Sequence, residues 1–338
     1  MSVRPSAPDR ALLEVEGLST VLDTEAGPVT VVDRLDFSLR SGETLAIVGE
    51  SGSGKSMTAL SLMRLLPERV ARIAGGHVLF EGRDLVALTE AEMRRIRGAE
   101  IAMIFQEPMT SLNPVLRIGR QIIEVLEVHR PDLDRRARHA HAAALLARVR
   151  IADPERMLDE YPHQLSGGMR QRVMIAMALA CDPKILIADE ATTALDATVQ
   201  AQILDLLAEL KSSLGLAILL ITHNLGIVAE NAERALVMYA GRKVEEAAVA
   251  DLFATPGHPY TQGLLAALPQ PRRGGMRERL PLREIPGMVP PLADLPQGCA
   301  FAPRCPLVMP VCATRRPPLE EFGRGRTVAC FAATKART

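Results

Sequence analysis

The residues best suited to chemistry in this sequence form one short glycine-rich segment. The segment is Gly49-Glu50-Ser51-Gly52-Ser53-Gly54-Lys55-Ser56, which matches the spacing of a P-loop. Its glycines let successive backbone N–H groups converge on phosphate oxygens at the positive end of a helix. Lys55 then reaches the outer phosphates, and the Ser56 hydroxyl coordinates Mg²⁺. The segment therefore predicts a site for a nucleoside triphosphate and Mg²⁺.

The alternative for this segment is a plain glycine turn that ends a strand. Strand-like residues at Thr44–Val48 precede the glycines, and Met57–Leu66 follows with the apolar period of a helix that stops at Pro67. The chain has only 5 Lys against 35 Arg, and a compact ammonium at Lys55 suits a point-charge contact with phosphate. Both features favour the phosphate site.

Two adjacent carboxylates follow a second strand-like run. Asp189 and Glu190 come directly after the apolar residues Ile185–Ala188. Beside a phosphate loop, one carboxylate can support the metal ion and the other can polarise the attacking water. Without the P-loop, a solvated acidic turn would be the better interpretation. With it, we predict that Asp189 contacts Mg²⁺ and that Glu190 is catalytic.

The elements that must position these residues alternate between strands and helices. A helix at Thr198–Leu210 between strands at Ile185–Ala188 and Ala217–Ile221 predicts parallel β-α-β wrapping. The Ala-, Arg- and Leu-rich region of about 110–182 predicts a helical lobe. Earlier β-rich runs, separated by turn residues such as Gly27-Pro28, predict strands at Leu12–Val15, Val29–Val32, Leu35–Leu39 and Thr44–Val48.

The composition limits the kind of partner this chain can have. Its 338 residues are enough for about two domains. Forty Lys plus Arg balance forty Asp plus Glu, so no net field draws the chain to nucleic acid, and we expect no such partner. Apolar stretches such as Val173–Cys181 are shorter than the roughly 20 residues that span a bilayer. Met1–Arg10 lacks the apolar core of a signal peptide, so we expect a cytosolic chain.

A second glycine motif identifies a family. The segment Leu165-Ser166-Gly167-Gly168-Met169-Arg170-Gln171-Arg172 is similar to the signature motif of ATP-binding-cassette (ABC) ATPases. Ser166 is placed to cap a helix that begins in the glycine pair, which would make a second anion site. The resemblance implies that Ser166, Gly167 and Gly168 bind the γ-phosphate held by a partner's P-loop, so that two cassettes enclose two ATP molecules. It also implies an α/β P-loop fold with a RecA-like parallel sheet, an antiparallel β subdomain and a helical subdomain.

Further positions match this family residue by residue. Gln106 resembles the glutamine loop, which touches Mg²⁺ and water. Ala194-Leu195-Asp196 resembles the loop that couples the two ATP sites, and His223 resembles the switch histidine that contacts the γ-phosphate. Alone, a Gln or a His after a strand would be unremarkable. The resemblance implies a catalytic set of Lys55, Gln106, Glu190 and His223, and Mg²⁺ ligands at Ser56, Gln106 and Asp189.

Three longer segments narrow the resemblance to the ATPase subunits of bacterial dipeptide and oligopeptide importers. They are Phe105–Pro114, Tyr161-Pro162-His163-Gln164 and His258-Pro259-Tyr260-Thr261, and residues 298–306 are in addition similar to the C-terminal extension of those subunits. This resemblance implies a peripheral subunit at the cytoplasmic face of the inner membrane. Its implied partners are a second ABC ATPase, usually a paralogue, two transmembrane permease subunits and, indirectly, a solute-binding protein. Peptides are the implied cargo, while nickel chelates, glutathione and sugars stay open.

A different class of protein is the rival interpretation. A soluble ABC ATPase without a permease would carry the same ATP motifs. Such proteins usually have a long coiled coil or two cassettes in one chain, and this sequence predicts neither. A redox enzyme built on the cysteines is less favoured, because the sequence lacks a substrate-pocket signature. Import ATPase is therefore the function that we predict.

Three residues depart from the family pattern. The family has Pro where Ala191 stands, Asp where Asn224 stands, and an aromatic residue near Leu22 that stacks on adenine. Leu22 predicts weaker or altered affinity for the base, because an aliphatic side chain covers a base face less well than an aromatic ring. Ala191 predicts a looser turn after Glu190, because proline fixes φ and alanine does not.

The composition shifts at Pro269, which predicts an ABC nucleotide-binding domain at 1–268 and a C-terminal extension at 269–338. Four cysteines of the extension, with five, six and seventeen intervening residues, are Cys299, Cys305, Cys312 and Cys330. Four thiols in a tail with little periodic apolar sequence predict a crosslinking metal centre. The spacing matches neither a zinc ribbon nor a common ferredoxin, so it does not name the centre. The family resemblance implies a [4Fe–4S] cluster, with zinc and free thiols as alternatives.

Overall fold

A computed structural model describes residues 11–105, 111–191, 195–268, 284–323 and 325–335. The strands in these ranges are β1 (Ala11–Thr24), β2 (Gly27–Arg40), β3 (Thr44–Val48), β4 (Ala71–Phe80), β5 (Arg83–Asp84), β6 (Ile101–Ile104), β7 (Ile185–Asp189), β8 (Ala217–Thr222), β9 (Arg234–Tyr239), β10 (Arg242–Ala248), β11 (Glu320–Glu321) and β12 (Thr327–Val328). The helices are α1 (Lys55–Leu62), α2 (Glu90–Ile96), α3 (Ile118–His129), α4 (Arg135–Arg148), α5 (Pro154–Met157), α6 (Gly167–Ala178), α7 (Ala197–Leu214), α8 (Leu225–Asn231), α9 (Val249–Ala254), α10 (Pro259–Ala266), α11 (Pro310–Thr314) and α12 (Phe331–Lys335). Among these described helices, none combines the length and the apolar character needed to cross a membrane.

The chain divides into two compact units, and the first holds most of the longer helices. It comprises the described parts of Met1–Leu13, Ser38–Thr44 and Leu79–Leu220. Strands β6 and β7 run parallel, with Ile101 opposite Ile185, and β7 lies between β6 and β8. Helices α3, α4 and α6 pack against one another. The predicted strands β7 and β8, the helix between them and the helical character of 110–182 are confirmed for the described residues.

The second unit carries the glycine segment and the C-terminal residues. It comprises the described parts of Glu14–Phe37, Leu45–Val78 and Ile221–Thr338. Strand β3 runs parallel to β9, and β9 pairs antiparallel with β10. Strand β12 extends this arrangement on β10, while β1 lies between β2 and β4. One buried cluster joins β3 and β9 to the C-terminal segment, and its members include Val48, Val237, Tyr239, Tyr260 and Phe301.

Four sequence predictions differ from the structure in their boundaries. The strand predicted at 12–15 is part of the longer strand β1, Ala11–Thr24. The predicted strands at 29–32 and 35–39 form one strand, β2, although Arg34 between them takes a φ of +47°. The turn before β2 falls at residues 25 and 26, so Gly27 already belongs to the strand. Helix α1 begins earlier than predicted and ends at Leu62, since Arg64 has a φ of +49°. The predicted domain boundary at Pro269 lies outside the described residues.

Candidate nucleotide site

The glycine segment connects the buried strand β3 to helix α1, as predicted. Gly54 precedes the helix with a φ of +99°, and a Cβ at this position would lie 2.5 Å from the Val31 carbonyl oxygen. A Cβ on Gly49 would lie 2.3 Å from the Met238 carbonyl oxygen. Only glycine fits at these two positions without backbone movement. The loop is therefore drawn tightly against β9 and β2.

The loop carries two buried polar side chains, those of Lys55 and Ser53. Lys55 is 5% exposed, and its Nζ donates to the carbonyl oxygens of Gly49 at 2.8 Å and Glu50 at 3.0 Å. The buried hydroxyl of Ser53 has no hydrogen-bond partner in the described residues. Among the described residues, no side chain accepts a hydrogen bond from the N–H groups at the start of α1. A buried ammonium, an unsatisfied hydroxyl and an uncapped helix start fit a bound triphosphate.

The two predicted carboxylates lie at the C-terminal end of β7 in the first unit. Asp189 is the last residue of the strand and is 4% exposed. Glu190 follows with a φ of +46°. Such a left-handed conformation costs a Glu about 1 kcal/mol or more, and strain of this kind concentrates at functional sites. Ala191 is buried directly after it. The prediction that a buried strand delivers both carboxylates is confirmed.

The signature segment forms a helix start of a different kind. The Ser166 hydroxyl accepts from the Met169 N–H at 3.3 Å, which confirms that Ser166 caps α6. Ser166 and Gly167 are exposed. A Cβ on Gly168 would lie 2.6 Å from Cγ1 of Val199, so glycine permits close packing of α6 on α7. The start of α6 is therefore exposed to solvent at Ser166 and Gly167, while Gly168 packs against α7.

The remaining predicted positions are described in part. His223 follows β8 and is exposed. Asn224 caps α8, because its side-chain oxygen accepts from the Gly226 N–H at 2.9 Å. Asn224 stands where the family has Asp, and it still caps the helix. Leu22 is half-buried in β1. Gln106 and Ala194 lie outside the described residues.

Sequence reasoning missed two residues that contact the glycine segment. Tyr260 Oη accepts from the Glu50 N–H at 2.8 Å, and the Arg304 guanidinium pairs with the Glu50 carboxylate. The hydrogen bond with Glu50 raises the pKa of Arg304 above its usual value. Tyr260 belongs to a segment already singled out by its resemblance, but its contact could not be inferred from spacing. Arg304 also lies in a segment that resembles the extension of the importer subunits, but neither its residue type nor its position indicated a contact with Glu50.

The four cysteines of the extension line one small cavity, together with Phe301 and His258. Burial raises the pKa of the Cys299 thiol to about 11 and also raises that of Cys305. These two thiols are therefore protonated at neutral pH. The four cysteines that were predicted to share a metal centre therefore lie around one cavity. Within the described residues, however, no three His, Cys, Asp or Glu side chains are arranged to hold a metal ion.

Comparison with known proteins identifies the family. Residues 32–193 match the family model described as ABC transporter, and residues 244–312 match the model described as oligopeptide/dipeptide transporter, C-terminal region. A probable peptide ABC transporter ATP-binding protein of Sinorhizobium fredii, y4tR, is 53% identical over 320 residues, which covers 95% of this chain and 94% of that protein. The chain belongs to the ATP-binding subunits of ABC transporters.

Other comparisons agree with this ABC assignment. The oligopeptide transport ATP-binding protein AppD of Bacillus subtilis is 52% identical over 320 residues, covering 95% of this chain and 96% of that protein. Among solved structures, the dimeric structure of MJ0796, a bacterial ABC transporter cassette, has a TM-score of 0.63 at 26% identity and covers 70% of this chain and 98% of that one. The predicted family, the α/β cassette fold and an ABC-type ATPase activity are confirmed.

Proposed function

We propose that this ABC subunit hydrolyses ATP at Gly49–Ser56 to drive the import of peptides through a membrane permease. The observation that carries the ATP site is the tight loop around Lys55, whose buried Ser53 hydroxyl has no hydrogen-bond partner among the described residues. Peptide cargo is supported by the match of residues 244–312 to the C-terminal region of oligopeptide and dipeptide transporters. The names of the relatives that match along nearly the whole chain also favour peptides.

Each predicted site residue has a role in this proposal. The loop N–H groups and Lys55 bind the triphosphate. Ser56, Gln106 and Asp189 would hold Mg²⁺, which neutralises charge on the phosphates. Glu190 accepts a proton from the attacking water, and His223 stabilises the charge that develops on the transferred phosphoryl group. The strained backbone of Glu190 at the end of β7 supports its assignment to the reaction.

A second cassette completes the site in this proposal. Ser166, Gly167 and Gly168 would bind the γ-phosphate of ATP held by that partner, and Leu195 and Asp196 would couple the two sites. The exposed start of α6 supports this role, because a helix N-terminus attracts anions. The dimeric form of a related cassette supports it as well. The partner is a paralogous ATPase, and the assembly works with two permeases and a solute-binding protein at the cytoplasmic face of the inner membrane.

The four-cysteine cavity would hold a [4Fe–4S] cluster. Four soft thiol donors line one cavity, which suits iron–sulfur chemistry. Since no three side chains among the described residues are arranged for a metal ion, the thiols would have to move closer together when the cluster binds. The raised thiol pKa of Cys299 means that loading would release protons. Iron and sulfide analysis of chain purified without oxygen tests this proposal, and Cys305→Ser is expected to lose both. Zinc in place of iron, or cysteines without any metal, would contradict it.

Replacement of Glu190 tests the proposed reaction. Glu190→Gln removes the proton acceptor but keeps its shape, so we expect turnover to fall about 100-fold or more while ATP binding persists. The matched control is Glu209→Gln, which alters an exposed carboxylate on α7 that pairs with Arg150. Its ATPase rate should equal that of the wild type. Unchanged turnover in Glu190→Gln would remove Glu190 from the reaction.

The cargo is tested separately in the reconstituted transporter. Peptides presented with the solute-binding protein should stimulate ATP hydrolysis, whereas nickel chelates and glutathione should not. Stimulation by one of those compounds alone would contradict peptide import and leave the ATPase assignment intact. ATP hydrolysis that never depends on permease subunits would favour the soluble rival.

A further inference from the structure

Glu50, the second residue of the glycine segment, is held through all of its polar groups. Its N–H donates to Tyr260 Oη at 2.8 Å, and its carbonyl oxygen accepts from Lys55 Nζ at 3.0 Å. Its carboxylate pairs with Arg304, whose Nη1 and Nη2 lie 2.6 Å and 3.0 Å from Oε2 and Oε1. One residue of the loop therefore links the phosphate-binding lysine to two side chains more than 200 positions away.

Arg304 is itself fixed in place by the C-terminal residues. Its side chain is 4% exposed, against 30% for Glu50. Its Nε donates to the Pro286 carbonyl oxygen at 2.9 Å, and its guanidinium lies 5.9 Å and 6.0 Å from the ring centroids of Tyr239 and Phe301. A planar guanidinium that binds both carboxylate oxygens fixes position and orientation together. The location of Glu50 is therefore set by the extension as well as by the loop.

The backbone that carries Arg304 also forms part of the cysteine cavity. Arg304 ends a short 3-10 turn at Ala302–Arg304, and Cys305 follows immediately. The Cys299 carbonyl oxygen accepts from the Ala302 N–H at 3.0 Å, while the Cys299 N–H donates to the Cys312 carbonyl oxygen at 2.8 Å. These bonds connect the position of Arg304 to the arrangement of the cysteines. The cavity wall and the residue that holds Glu50 therefore share one stretch of backbone.

We propose that Arg304 is a positioning residue for the nucleotide site, through which the four-cysteine segment controls the affinity of the glycine segment for ATP. Arg304 acts by geometry, because it fixes Glu50, whose carbonyl oxygen accepts a hydrogen bond from Lys55 and so orients the lysine. It also acts by charge, because it neutralises a carboxylate that would repel the triphosphate. This inference rests on the proposed ATP site at Gly49–Ser56.

Variants of Arg304 in the full chain separate geometry from charge. Arg304→Met keeps a long side chain against the two rings but removes the charge and the hydrogen bonds. We expect its Kd for Mg-ATP to rise about tenfold. In the assembled transporter, the KM for ATP should rise with kcat little changed. Arg304→Lys keeps the charge but cannot bind both oxygens in one plane, so its Kd should be intermediate. Adding Glu50→Gln to Arg304→Met should restore part of the affinity.

The route through the cysteines has its own test. Cys305→Ser should weaken ATP binding in the wild-type background, because it disturbs the cavity wall next to Arg304. In the Arg304→Met background the same change should add little, since the link to Glu50 is already broken. Fully additive effects of the two changes would contradict this route.

Arg326→Met is the matched control. Arg326 is also a nearly buried arginine of the extension, but it bonds to Thr255 and lies 3.7 Å from Glu245 instead of contacting the loop. Its replacement should lower the thermal midpoint without changing the Kd for Mg-ATP. An equal loss of affinity in this variant would reduce the Arg304 effect to general destabilisation and overturn the proposal.

Lys55→Ala distinguishes this inference from the proposed ATP site. If Lys55→Ala loses ATP binding while Arg304→Met keeps the wild-type Kd, the role of Arg304 is wrong and the ATP site stands. If Lys55→Ala binds ATP normally, both are wrong. Should Arg304→Met fail to fold, Arg304→Lys decides the matter, because a wild-type Kd in that variant would contradict the proposal.

Discussion

The starts of helices α1 and α6 look alike in sequence, but they are built differently. Helix α1 follows a glycine-rich segment and α6 begins with a glycine pair, and each start is proposed to bind phosphate. The start of α1 is buried, lacks a side-chain cap in the described residues and follows a loop whose Glu50 bonds to Tyr260 and Arg304. The start of α6 is exposed and capped by its own Ser166. The buried start of α1 is therefore suited to enclosing a nucleotide bound by its own chain. The exposed start of α6 is suited to contacting a nucleotide bound by a second chain.

The two crowded glycines give the largest expected difference between these helix starts. Gly54→Ala forces alanine into a φ of +99° with its Cβ near a backbone oxygen, so we expect a stability loss of about 3 kcal/mol. In Gly168→Ala the nearest obstacle is the Val199 side chain, so a loss of about 1 kcal/mol is expected. Thermal and denaturant unfolding of both variants measures these values.

Removal of the obstructing side chain provides the control for the glycine experiment. Val199→Ala should recover most of the stability lost in Gly168→Ala, because the crowded atom is then absent. No side-chain change can relieve Gly54→Ala, since its obstacle is the Val31 carbonyl oxygen. Equal stability losses in Gly54→Ala and Gly168→Ala, or no recovery of stability by Val199→Ala, would contradict the proposed difference between the two helix starts.

Two buried polar side chains allow a comparison of the two helix starts with a smaller expected effect on stability. In the described residues, the Ser53 hydroxyl near α1 and the Gln171 amide on α6 both lack hydrogen bonds. Ser53→Ala and Gln171→Met should each stabilise the nucleotide-free chain by about 1 kcal/mol, because an unsatisfied buried group is removed. Only Ser53→Ala should also weaken ATP binding. Weaker binding in Gln171→Met instead would contradict the assignment of Ser53 to the ligand.

Local features were predictable from the sequence, whereas long-range contacts were not. Strand β3 and the cap at Ser166 follow from short segments whose residues interact with near neighbours. The contacts of Glu50 with Tyr260 and Arg304 depend on how distant segments pack, and neither spacing nor residue type encodes them. The cysteines lie between these cases. Their concentration predicted a shared metal centre, and they do line one cavity, but among the described residues no three side chains are arranged to hold a metal ion.

The Kd of the isolated full chain for Mg-ATP tests most directly whether the two helix starts have different tasks. Lys55→Ala should raise this Kd on the order of 10- to 100-fold, because a charge-assisted contact with phosphate is lost. Ser166→Asp keeps the helix cap but adds a negative charge to the start of α6, and it should leave the Kd unchanged. Equal weakening by both variants would contradict the account.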